Sequence, residues 1–86
     1  MALHVTERLQ QRGIPATDAD LITRAKSCNT DTAIVLYRGQ NGRCSDGSNG
    51  DLVILIVRHG WPVTVMFRRS NQPLTCDALR VNKIIE

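Results

Sequence analysis

Aromatic side chains are scarce in this sequence of 86 residues, where Tyr37, Trp61 and Phe67 are the only three. Proteins that bind single-stranded nucleic acid by base stacking usually present several aromatic rings on one surface. Three rings so far apart in the sequence do not predict such a stacking platform. We expect Trp61 to cap the edge of the core, with base stacking as the alternative.

Cysteine is also rare, and its spacing excludes two classes of small protein. Cys28, Cys44 and Cys76 are odd in number and form no Cys-x-x-Cys pair, which argues against a disulfide framework and against a zinc site. No other set of metal ligands and no glycine-rich phosphate loop before a helix is present. We therefore expect neither a metal nor a cofactor.

Long apolar runs are missing as well. No stretch of about 18 apolar residues occurs, so no membrane span is expected. The first 15 residues carry charges and lack an apolar centre, which predicts no secretory signal and a location in the reducing cytoplasm. With 42% hydrophobic and 22% charged residues, the composition is typical of one globular domain spanning residues 1–86.

Acidic residues are absent from one long stretch of the chain. The net charge is only +3, but no acid lies between Asp51 and Asp77, where Arg58, Arg68 and Arg69 are found. Arginine presents a planar fork of donors that suits phosphate. These three arginines are therefore candidates for phosphate binding, and a solvated basic edge is the alternative.

Two short helices are predicted in the first third of the chain. Apolar residues recur at helical spacing over residues 2–12, and Gly13 stands where such a helix would stop. Thr17 precedes two acids, as an N-cap does, and a second helix is predicted to run to about Cys28.

Strands are predicted in the rest of the chain. The β-branched and apolar ranges Thr32–Arg38, Leu52–Val57 and Trp61–Arg69 fit three strands. The glycine-rich segment 39–50 is predicted to be a flexible loop. After Pro73 we expect a turn and then a short strand over about residues 79–85.

The order of these elements predicts the α+β class. Two N-terminal helices would pack on one face of a twisted antiparallel sheet of three to four strands. In the second strand, Leu52, Ile54 and Ile56 alternate with three more apolar residues, so both sheet faces are apolar. Two helices cover only one face, which predicts a homodimer built on sheet faces or edges.

One motif in the first helix carries a family resemblance. His4, Arg8 and Arg12 are spaced four apart, Gly13 and Ile14 follow, and a later strand contains Val63-Thr64-Val65-Met66 ahead of two arginines. Over roughly residues 2–69 the chain resembles a small, largely uncharacterised domain family that is similar to BrnT-like and RelE/ParE-like toxins. The resemblance implies a ribonuclease-like fold, an RNA-cleaving ancestry, RNA or the ribosome as a target, and an antitoxin-like protein partner.

A candidate catalytic site follows from the motif. RNA cleavage without metal needs a base, an acid and cations on the phosphate. His4, Arg8 and Arg12 are the catalytic candidates, and His59 is a second acid–base candidate. The alternatives are that His4 is an ordinary helix residue, exposed or packed, and that His59 is an ordinary turn residue.

Two functions from different classes remain open at this point. One is a small toxin-related, RNase-like protein that acts on or binds RNA without metal. The other is a non-catalytic protein-interaction module of the same fold, homo-oligomeric, with no prediction of its cellular role.

Overall fold

The computed structural model describes residues 3–38, 52–69 and 74–86, and it confirms the α+β class. The glycine-rich segment 39–50, with Cys44, lies outside the described residues. The helices and strands, in chain order, are α1 (His4–Gln11), α2 (Asp18–Lys26), β1 (Thr32–Arg38), β2 (Leu52–Arg58), β3 (Trp61–Arg68), α3 (Cys76–Leu79) and β4 (Lys83–Ile85).

Local side-chain chemistry sets the boundaries of the first two helices. The Thr17 hydroxyl accepts a hydrogen bond from the backbone N–H of Asp20 at 3.2 Å, as the predicted N-cap of α2 should. After α1, Gly13 takes a φ of 73°, which glycine adopts without strain. The backbone N–H of Leu3 donates to Asp18 Oδ1 at 3.1 Å. This bond joins the start of α1 to the start of α2.

The sheet has four strands in the order β3-β2-β1-β4. β1 with β2 and β2 with β3 are antiparallel, as predicted, and the six apolar residues of β2 are all buried. β4 pairs with β1 in parallel, so the prediction of a purely antiparallel sheet is wrong for this strand. The chain leaves β3 at one edge, crosses the sheet through α3 and enters the opposite edge in the same direction as β1.

Both faces of the sheet are covered within one chain. On the helix face, Val53, Leu55 and Val57 pack with residues of α1 and α2 such as Leu9 and Leu21. On the opposite face, Ile54 and Ile56 pack with residues of the C-terminal segment, which is residues 74–86. The apolar face that motivated the prediction of a homodimer is therefore buried by this segment, with Ile54 0% and Ile56 2% exposed.

Hydrogen bonds hold the C-terminal segment against the sheet. The short helix α3 begins at Thr75, whose hydroxyl accepts from the N–H of Ala78 at 3.1 Å. Arg58 Nη1 donates to Asp31 Oδ2 and to the carbonyl oxygen of Arg80, both at 2.9 Å. The strand predicted near residues 79–85 is present as the shorter β4.

An irregularity in β3 changes which of its residues share a face. Ile56 pairs with Thr64 but Val57 pairs with Pro62, so Val63 is an extra residue in the strand. At this bulge, the alternation of side chains between the two faces of the sheet is shifted by one residue. Trp61 and Arg68 consequently lie on the same face of the sheet, opposite the helices.

Candidate functional site

Two arginines of the predicted motif stack over one aromatic ring. Arg8 is in the last turn of α1 and Arg12 is the residue that ends it. The guanidinium carbon of Arg12 lies 4.0 Å from the centre of the Phe67 ring, and that of Arg8 lies 5.5 Å from it. Both distances are within the range of a cation–π interaction. Positive charge at the end of a helix is also favoured by the helix dipole.

Two further arginines follow Phe67 at the end of β3, where the alternation of the strand puts Arg68 on the face opposite the helices. Arg68 is exposed, and its Nη1 donates to the carbonyl oxygen of Phe67 at 3.1 Å. Arg69 follows directly and is exposed too. We call these four residues, Arg8, Arg12, Arg68 and Arg69, the arginine surface.

The acidic residue of α1, Glu7, lies on a different side of the helix from Arg8 and Arg12. Glu7 lines an open depression together with Gln10 and Gln11, and residues three and four apart share one side of a helix. Arg8 and Arg12 lie on a different side, over Phe67. Glu7 therefore lies on a different side of α1 from the two arginines that stack on Phe67.

His4 is the first residue of α1 and is exposed. It precedes Arg8 by four residues, which places it about one helical turn away on the same side of the helix. The structure thus brings the three residues of the predicted catalytic motif along one helix, with the two arginines at Phe67.

Arg58 lies at the other end of the sheet from the arginine surface. Arg58 pairs with Trp61 at the start of β3, whereas Leu52 pairs with Arg68 at its end. Leu52 and Arg58 are six residue steps apart along β2, which is about 20 Å of strand. The three arginines predicted to bind phosphate therefore do not form one site. Arg58 instead bonds Asp31 and the C-terminal segment.

His59 has a backbone role in the turn between β2 and β3. His59 and Gly60 both have positive φ, 55° and 72°, as a two-residue hairpin turn requires. A Cβ added to Gly60 would stand 4.0 Å from the carbonyl oxygen of Ala25, near the end of α2. Leu3, next to His4, bonds Asp18 at the start of α2. The segments that carry His4 and His59 therefore contact opposite ends of α2, which are about 10 Å apart along the helix.

Two important residues were not found by reasoning from the sequence. In the sequence Phe67 is one of three scattered aromatic residues within a predicted strand, and nothing there indicates that arginines stack on it. Asp31 directly precedes a predicted strand, and its pairing with Arg58 joins residues far apart in the sequence. In neither case does the spacing of residues along the chain indicate the contact with an arginine.

None of the helices within residues 3–38, 52–69 and 74–86 is long and apolar enough to cross a membrane. The same ranges contain no cluster of three or more His, Cys, Asp or Glu residues arranged to hold a metal ion. Compared with known proteins, the chain matches no family model, no curated protein and no solved structure.

Proposed function

We propose that this protein binds RNA through its phosphate backbone, without a metal, at the arginine surface. The observation that carries the proposal is the stacking of Arg8 and Arg12 on Phe67, next to Arg68 and Arg69. A guanidinium that stacks on a ring is oriented by that contact, and its planar fork of donors suits phosphate oxygens. Stacking also limits the side-chain freedom that a phosphate contact would otherwise have to restrict.

The geometry supports binding better than cleavage. General acid–base cleavage needs two proton-transfer groups at one phosphate. His4 and His59 are carried by segments near opposite ends of α2. The arginine surface supplies cations for the phosphate, and His4 is the one member of the proposed acid–base pair that shares its helix.

Recognition at this surface should depend on charge and not on base identity. Phe67 is half-buried under two arginines, so its ring is not open to a base. Backbone contacts release counterions, and the logarithm of the association constant falls with the logarithm of salt by about 0.7 for each phosphate contacted in a single strand. We expect weak dependence on RNA sequence and strong dependence on salt.

Fluorescence anisotropy with a labelled 12-nucleotide RNA tests the proposal. The double variant Arg8→Ala/Arg12→Ala should bind at least tenfold more weakly, and its salt slope should fall by about 1.4. Arg24→Ala/Lys26→Ala, two exposed cations of α2, is the control with the same loss of charge. An equal loss in both variants, or no binding by the wild-type protein, would overturn the proposal.

The resemblance to toxins extends this proposal to a cellular role. If the RNA is a ribosomal or messenger RNA in the cytoplasm, expression should arrest growth, and Arg8→Ala should relieve the arrest. Gel analysis of the RNA after incubation with the protein distinguishes binding alone from cleavage. Intact RNA supports binding alone, and fragments whose formation requires His4 support cleavage.

The second candidate function is self-association of a non-catalytic module, and a different observation favours it. The C-terminal segment covers the sheet face opposite the helices. Apolar surface remains at the outer strand β3, where Trp61 is 46% and Val63 is 45% exposed. We therefore propose a homodimer formed at this strand. Sedimentation velocity as a function of concentration tests it, and a monomer at all concentrations up to 200 µM would exclude it.

A further inference from the structure

The outer side of β3 is one of the two edges of the sheet. β3 is the last strand in the order β3-β2-β1-β4, and no described strand pairs with its outer side. An edge strand offers unpaired N–H and C=O groups to another strand. Two of the three large apolar side chains found exposed in the described part of the chain, Trp61 and Val63, lie on this strand.

We propose that β3 pairs in antiparallel fashion with β3 of a second copy, around a two-fold axis at Val65. This inference rests on the homodimer proposed above and specifies its interface. Each copy would contribute the same edge, so the contact is closed by symmetry and joins two four-stranded sheets into one of eight strands.

The bulge in β3 determines which residues meet across the axis. With Val65 opposite itself, Thr64 is opposite Met66 of the second copy, and both lie on the face opposite the helices. Trp61 is four residues before Val65 and Arg68 is three residues after it. Because Val63 is the extra residue of the bulge, Trp61 comes opposite Arg68 of the second copy.

This pairing puts complementary groups together and keeps like charges apart. An exposed indole opposite a guanidinium forms a cation–π contact, once at each end of the interface. Antiparallel pairing also places the Arg68–Arg69 pairs of the two copies at opposite ends, about 20 Å apart. That separation exceeds the screening length of about 8 Å in physiological salt. Parallel pairing would set these cations side by side.

Pro62 limits where the hydrogen bonds of this interface form. Proline has no backbone N–H to donate, and it is tolerated at sheet edges for that reason. The Pro62 side chain is buried in its own chain, opposite Val57. The pairing therefore depends on the central segment from Val63 to Arg68 and on the side-chain contact of Trp61.

Sedimentation velocity between 1 and 200 µM tests the interface, with the emission of the single tryptophan as a second readout. Val63→Lys should raise the dissociation constant at least tenfold. Trp61→Arg should do the same, because it places a second cation opposite Arg68 of the other copy. Tyr37→Lys is the matched control, since Tyr37 is 41% exposed but lies on the inner strand β1. The emission of Trp61 should shift to shorter wavelength as concentration rises.

Exchanging the two partner residues gives the sharpest test. Within one chain Trp61 and Arg68 stand at opposite ends of β3 and do not touch, so only a second copy can bring them together. The double variant Trp61→Arg/Arg68→Trp should restore the affinity lost in Trp61→Arg. A dimer that Val63→Lys and Trp61→Arg leave unchanged would overturn the β3 interface while the homodimer stands. A wild-type monomer at 200 µM would exclude both.

Discussion

The guanidinium carbon of Arg12 stands 4.0 Å from the centre of the Phe67 ring, which ties the end of α1 to the end of β3. This one contact serves two purposes if the protein binds RNA as proposed. It packs a helix end on the sheet, and it fixes the direction of the Arg12 guanidinium. Stability and RNA binding should therefore respond to the same substitutions in different proportions.

Phe67→Leu separates these two effects. Leucine keeps an apolar side chain at the edge of the helix-face core but removes the ring, and a partly exposed cation–π contact is worth about 0.5–1 kcal/mol. We expect the free energy of unfolding in urea to fall by about 1–2 kcal/mol. In a double-mutant cycle with Arg12→Ala, a coupling energy near zero would show that the stacking contributes nothing to stability.

Arg58→Ala should loosen the C-terminal segment. Arg58 joins Asp31 and the carbonyl oxygen of Arg80, and the side chains of the ion pair are about one-third exposed, 34% and 31%. Loss of two charge-assisted hydrogen bonds at a half-buried site should lower the free energy of unfolding by about 1–2 kcal/mol. Hydrogen exchange at the N–H of Asn82, which donates to Asp31 O, should accelerate.

Arg38→Ala is the matched control for this prediction. Arg38 pairs with Glu86, also at the C-terminal segment, but their side chains are 48% and 59% exposed. An exposed ion pair usually contributes less than about 1 kcal/mol. Equal effects of the two substitutions would contradict the role assigned to Arg58.

Asp18→Asn should make the stability of the fold less dependent on pH in the acidic range. The Thr6 hydroxyl first, and then the N–H of Leu3, hold the pKa of Asp18 below its ordinary value of 3.8. A carboxylate with a lowered pKa in the folded state stabilises the fold above the unfolded value and loses this contribution as the pH falls through the folded pKa. The melting temperature of the wild-type protein should therefore drop below about pH 4 more than that of the variant. Asp20→Asn, which leaves the Asp18 contacts in place, should keep the wild-type slope.

Local patterns predicted most of the fold. Thr17 as an N-cap, the stop at Gly13 and the alternation along β2 depend on neighbours in the sequence, and the structure contains each of them. The parallel pairing of β4 was not predicted, because Lys83 and Thr32 meet only through a crossover. Short-range periodicity indicates that a strand exists and says little about which strand it joins.

The candidate site was predictable to a smaller extent. The four-residue spacing indicated that His4, Arg8 and Arg12 share one side of a helix. It did not indicate that Phe67 lies under two of them. The grouping of Arg58 with Arg68 and Arg69 relied on closeness in the sequence, which fails when a strand and a turn carry residues to opposite ends of a sheet.

The crossover from β3 to β4 also bears on how the chain folds. The hairpin of β2 and β3 has a two-residue turn and needs little loop closure, whereas β4 pairs with a strand from much earlier in the chain. Contacts between distant residues tend to form late, after the local ones that they require. We expect β4 to dock last. Until it does, Ile54 and Ile56 lack the partners that cover them, and the nascent protein is then most prone to aggregate.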